Sequence, residues 1–126
     1  MDEPHTNNSL PKEEILSGKN SISTLISKGR FGSVPGMKYC FLSGNQLGKN
    51  RILVSVPKKL FKRAVKRNLL KRRLREGYRL QKSKLSPDKG IDIMFLYNTS
   101  EILDSKTIHK AVGTILDTIE YGGNSK

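Results

Sequence analysis

The sequence predicts a small α+β domain, an α/β sandwich in the order helix, strands, long basic helix, strand, helix. Three observations carry that prediction. The chain has 126 residues, enough for one core and too few for two. Two runs, RILVSV at 51–56 and IDIMFLY at 91–97, have the apolar, β-branched character of strands. Between them, leucines recur at helical spacing through a stretch dominated by Lys and Arg.

Residues 1–18 hold Pro4, Asn7, Asn8, Pro11 and Gly18 with little apolar content, and are expected to form an unstructured extension. A first helix is expected over 21–28. Ile22, Leu25 and Ile26 share a face there, Asn20 or Ser21 caps the start and Gly29 ends it. Gly32, Pro35 and Gly36 mark a loop with room for a short strand. Residues 37–43 read as a strand and Gly44-Asn45 as the following turn. Residues 51–56 are the next strand, stopped by Pro57, which has no N–H for a ladder.

A long helix is expected from about 61 to 80, broken by Ser86-Pro87-Asp88 and Gly90. The run at 91–97 is almost continuously apolar, as a strand covered on both faces must be. A last helix, capped by Asp104 or Ser105, should run to about Tyr121 with Ile108, Ala111, Val112, Ile115 and Ile119 inward. Gly122-Gly123 ends it. One domain over 19–121 follows, with a short flexible tail over 122–126.

The formal net charge is +13, from 24 basic and 11 acidic residues. It is concentrated. Residues 58–84 hold 13 basic residues and a single acid, Glu76, while the rest of the chain is nearly neutral. A surface charged only for solubility mixes both signs, so the block points to a polyanionic partner. A single cysteine, Cys40, excludes an internal disulfide and a thiolate zinc site. No apolar run reaches the ~18 residues of a membrane span. The polar, acidic start lacks the apolar stretch of a secretory signal. A cytoplasmic protein without a membrane partner is expected.

On a helical wheel the long helix has two sides. Leu70, Leu74, Gly77 and Tyr78 gather on one, the spacing of a core stripe. Ala64, Asn68, Lys71, Arg72, Arg75 and Arg79 lie nearly opposite. The leucines should dock on the sheet and leave the arginines to a ligand, whose phosphate oxygens a planar guanidinium grips in pairs. Asn68, an amide among arginines, can donate and accept, which suits a 2′-hydroxyl, a base edge or a metal-bound water.

The run KRAVKRNLLKRRLREGYR, following SVPKK at a strand end, resembles the protein subunit of bacterial ribonuclease P. That family's Ala-Val, Arg-Asn, Lys-Arg and Arg-Glu steps fall on Ala64-Val65, Arg67-Asn68, Lys71-Arg72 and Arg75-Glu76. PKEEILSG and ISTLISKGRF are similar to the family's first helix, and GIDIMFLYN to its last strand, so the likeness spans roughly 11–119. Leu69 stands where the family often has a second Arg. The Gly that commonly precedes the Ala-Val is missing, the connection through Leu60-Phe61-Lys62-Arg63 is slightly longer, and Ile22 and Ile26 occupy first-helix sites where Phe is usual.

The resemblance implies a four-stranded sheet with three helices in the order αβββαβα and a left-handed crossover, against the general right-handed preference. It implies a subunit that binds the catalytic ribonuclease P RNA and the single-stranded 5′ leader of precursor tRNA; apart from the RNA the protein is expected to be monomeric. The RNA subunit cleaves with Mg²⁺, which it mainly holds, and no protein side chain is assigned to the metal. RNA contacts are implied for Lys58, Lys59, Lys62, Arg63, Lys66, Arg67, Asn68, Lys71, Arg72, Arg75 and Arg79. A leader cleft between the sheet and the first helix is implied for Ile22, Ile26, Phe31 and Ser55, with Tyr39 and Phe41 from one face of the strand. Lys38, Cys40 and Leu42, on its other face, are the alternative lining.

The residues themselves argue against a protein catalyst. His5 and His109 are isolated in sequence, Cys40 sits mid-strand as a packing residue, and Asp88 and Asp92 flank Gly90 as turn and solvent groups. No paired carboxylates on one helix face and no Gly-rich phosphate loop occur. A non-enzymatic RNA-binding or ribosome-associated protein is the alternative. A helix-turn-helix regulator needs a partner helix just before the basic one, where strand residues 51–56 stand instead.

Overall fold

The computed structural model describes residues 10–86 and 89–122. The elements are α1 (Lys19–Lys28), β1 (Arg30–Val34), β2 (Met37–Leu42), β3 (Arg51–Ser55), α2 (Ala64–Gln81), β4 (Asp92–Tyr97) and α3 (Ser105–Asp117). This is the predicted order, and the four strands form one mixed sheet in the order β1-β2-β4-β3. Pro35-Gly36 closes the β1–β2 hairpin, with Val34 opposite Met37 and Gly36 at φ 84°, the positive angle such a turn needs after Pro. β2 pairs antiparallel with β4, and β3 lies parallel to β4 on its other side, so α2 makes the connection between parallel neighbours. β4 is therefore interior, which accounts for its apolar run from Ile93 to Tyr97.

The two faces of the sheet are covered differently. Met37, Tyr39, Ile52, Val54, Ile93, Phe95 and Tyr97 form the main core with Leu70, Leu74 and Tyr78 of α2 and Ile108, Val112, Ile115 and Leu116 of α3. The opposite face carries Cys40, with Leu42, Leu53 and Met94, under Leu16 and the α1 residues Ile22 and Leu25. The predicted stripes of α2 and α3 are the buried ones. Asp104 caps α3, its carboxylate accepting from the Thr107 N–H at 2.8 Å.

Three expectations are corrected. Residues 10–18 are not an unstructured extension. Leu10 and Leu16 are buried, Lys12–Glu14 form a 3₁₀ turn, and Ile15 makes a parallel bridge to Ile52 that shields the β3 edge. Residues 1–9 and the tail from 123 lie outside the described residues. The basic helix begins at Ala64 because Phe61 turns into the core against Tyr97, ring centroids 5.8 Å apart. α1 begins at Lys19, after Gly18 and without a side-chain cap from Asn20 or Ser21.

Asp92 is also not a solvent group. It is buried at the start of β4, where Arg51 on neighbouring β3 donates from Nε (2.9 Å) and Nη2 (2.7 Å) and Asn45 adds Nδ2 (2.9 Å). The pair locks β3 to β4 in register, since Arg51 and Asp92 are direct partners. Asp92→Ala removes three hydrogen bonds to a carboxylate and leaves Arg51 without its counterion. A loss of about 2 to 3 kcal/mol in denaturant unfolding is expected; no change would mean that the bridge contributes nothing net. Asp88 lies outside the described residues.

Candidate nucleic-acid interface

Two surfaces carry the predicted binding residues. The first is the outer side of α2 with the turn before it. Because Leu70, Leu74 and Tyr78 bind the helix to the sheet, Lys66, Asn68, Arg72 and Arg75 face solvent and Lys71 is half-buried. Lys58, Lys59, Lys62 and Arg63 are exposed along the approach to the helix. None of these cations has an ion-pair partner among the described residues. Asn68, Arg72 and Arg75 border one shallow groove together with Val65 and Leu69, so apolar carbon and cations alternate on the same surface.

Two of the predicted contacts have internal tasks as well. Arg67 donates through Nη1 to the Phe61 and Lys62 carbonyls (2.7 and 2.9 Å), closing the turn that the extra connecting residues create. Arg79 grips Glu76 through Nε and Nη2 (3.1 and 2.6 Å). The hydrogen bond from Arg79 holds the Glu76 carboxyl below its ordinary range, so the single acid of the block stays charged and spoken for. Arg73 borders the same groove, but its guanidinium is engaged inside the protein: it donates to the Leu103 carbonyl at 2.6 Å, tying α2 to the segment before α3.

The second surface is the sheet face that α1 only partly covers. Asn20, Ser21 and Thr24 of α1 border the same hollow as Leu42, Arg51 and Asp92, so the helix lies over that end of the strands. The other end presents Lys38, Leu96 and Ser55, which are exposed or half-buried. Phe31 pairs across from Cys40, projects on this face and is 64 % exposed. Ile26 is 47 % exposed on α1, and Ile22 is half-buried. The result is an apolar-walled cleft with a lysine on its floor. Its β3 wall ends at Ser55, and the chain then runs through 56–57 directly into Lys58 and Lys59. Cleft and basic segment are thus adjacent.

Tyr39 and Phe41 do not line this cleft. Their parity puts them on the other face, where Tyr39 is 8 % exposed in the main core and Phe41 stacks on it at 6.3 Å. The alternative lining, Lys38, Cys40 and Leu42, is on the cleft side. The signal was present in the strand: Lys38 carries a charge, and a charge has no place beneath two packed helices. Leu53, Met94 and Leu96, also on this side, were missed because two strands covered on both faces show no alternation.

Cys40 is buried, its thiol donates to the Leu25 carbonyl (3.3 Å), and burial pushes its pKa up, away from the thiolate. His109 is half-buried on α3, and its backbone carbonyl accepts from Gln81 (2.8 Å). His5 lies outside the described residues.

A basic helix on one side of a sheet and an apolar-walled cleft on the other define an α+β protein shaped to hold nucleic acid. The Ribonuclease P family profile matches residues 10–120. A ribonuclease P protein component of Porphyromonas gingivalis is 34 % identical over 122 residues, covering 91 % of this chain and 88 % of that one. Another, from Dictyoglomus thermophilum, is 31 % identical over 118 residues, covering 94 % and 95 %. Among solved structures, the ribonuclease P protein of Thermotoga maritima superposes with a TM-score of 0.73 at 24 % identity, covering 85 % of this chain and 98 % of that one. The Staphylococcus aureus protein gives 0.74 at 20 % identity, covering 85 % and 95 %. The chain belongs to the ribonuclease P protein family. Its role, a protein component of the bacterial ribonucleoprotein that processes the 5′ end of tRNA, follows from that membership, as does its partnership with ribonuclease P RNA.

Proposed function

We propose that the outer face of α2 holds ribonuclease P RNA while the cleft between α1 and the sheet holds the single-stranded 5′ leader of precursor tRNA, in a cytoplasmic protein that is monomeric apart from the RNA. The observation that carries this is the adjacency of the two surfaces: the cleft wall ends at Ser55 and the cationic segment starts at Lys58. Cations along α2 reduce the repulsion between two polyanions. Apolar walls formed by Phe31, Ile22 and Ile26 accept unpaired bases without reading their order.

In this reading cleavage belongs to the RNA subunit, with Mg²⁺ as its cofactor. The chemistry of the protein's surfaces fits binding. The described residues bring no three His, Cys, Asp or Glu side chains together, and the cleft floor carries the cation Lys38. In this reading a magnesium ion takes its ligands mainly from the RNA, and the protein's residues orient the substrate.

The test is cleavage of a precursor tRNA by a bacterial ribonuclease P RNA at low Mg²⁺, with and without this chain. The chain should raise the rate with the RNA present and give no product alone. Cleavage by the protein alone, or no gain in the mixture, would sink the reading.

A further inference from the structure

A second cationic groove lies at the far edge of the sheet, away from α2. Lys28, the last residue of α1, Arg30, the first of β1, and Lys89, shortly before β4, border it with Phe41, and Ile119 closes one side. Lys28 and Arg30 are exposed and have no acidic partner among the described residues. Lys89 reaches Glu120 at 3.6 Å. Outside residues 58–84 the chain is nearly neutral, so three cations converging beside a half-buried aromatic ring are a local concentration.

Its position relative to the cleft gives it a meaning. A strand that enters the cleft beside Ser55 on β3 crosses β4 and β2 and reaches Phe31 on β1, three strand spacings or about 14 Å away. There the sheet ends, because β1 is its edge. Phe31 and Arg30 are consecutive and project on opposite faces, Phe31 with Cys40 and Arg30 with Phe41. A chain leaving the cleft over Phe31 and bending around the edge therefore meets Arg30 next, and Lys28 beside it.

We propose that this groove binds the distal nucleotides of the leader, those that have already crossed the cleft. Lys28, Arg30 and Lys89 take their phosphates and Phe41 offers its ring to a base. The inference rests on the cleft reading above and extends it: the protein senses leader length as well as leader presence.

The test uses holoenzyme reconstituted with ribonuclease P RNA, and two precursor tRNAs. One leader ends within the cleft and the other is several nucleotides longer. The Lys28→Ala/Arg30→Ala double variant should lose affinity for the long-leader substrate only. Its salt dependence with that substrate should flatten by about 1.4 units, ~0.7 for each single-strand phosphate released. Lys110→Ala, an exposed cation on α3, is the control and should change neither. If the wild type prefers the long leader and the double variant keeps the whole preference, the cleft reading stands and this inference falls. Equal losses on both substrates also overturn it, because the cations then touch RNA elsewhere. If wild-type affinity is the same for both leaders, this inference falls, while the cleft reading, which needs only the nucleotides that both leaders share, is untouched.

Discussion

Leu74→Asp should abolish the folded state, whereas Arg75→Ala, one residue further along the same helix, should shift stability by no more than about 0.5 kcal/mol. Leu74 has no exposed surface and sits in the main core with Leu70, Tyr78 and Phe95. Losing its side chain alone would cost about 2 to 5 kcal/mol. The aspartate adds a carboxylate with no cation facing it, which must either be buried charged or take up a proton. A domain of this size holds roughly 5 to 15 kcal/mol in reserve, so the two costs together consume most or all of it. Arg75 projects to solvent and has no ion-pair partner among the described residues. Thermal melts followed by circular dichroism separate the cases; coincident melts would mean that α2 docks by another face.

Replacing Arg72 and Arg75 together with Ala should weaken binding to ribonuclease P RNA and flatten its salt dependence by about one to two units. Both guanidinium groups are exposed beside Asn68. Each phosphate that they neutralise releases counterions, and that release is what the slope counts. Arg73→Ala carries the same formal loss of charge but should leave the slope almost unchanged, since Arg73 is engaged with the Leu103 carbonyl. Its penalty should appear as about 1 kcal/mol of stability instead. Asn68→Ala removes no charge, so affinity should fall at constant slope. Fluorescence titrations at several salt concentrations read all three variants against the wild type. If Arg73→Ala flattened the slope as much as the pair does per residue, α2 would be a diffuse cloud of charge without an oriented face.

The two-sided basic helix was legible in the sequence because both of its signals are local. A buried stripe of Leu70, Leu74 and Tyr78 and arginines a half-turn away follow from the 3.6-residue period alone, and the structure keeps both. The cap at Asp104 and the apolar β4 are local in the same sense. The cleft was only half legible. Ile22, Ile26, Phe31 and Ser55 fall on it, while Tyr39 and Phe41 do not, because a strand's alternation separates two faces without saying which one a helix leaves open.

What the sequence determined by itself, then, is composition and period: the concentration of charge in residues 58–84, the two-sided helix that carries it, and the order of helices and strands. Tertiary structure alone decided the rest. It inserted β4 between β2 and β3, sent α2 and α3 to one face and α1 to the other, and drew Leu10, Leu16 and Phe61 into the cores. It also paired Arg51 with Asp92 across 41 residues and brought Lys28, Arg30 and Lys89 to one edge. The physical reason is range. Backbone period and capping act within a few residues, whereas strand pairing and burial join segments whose separation along the chain leaves no mark on either one's local pattern.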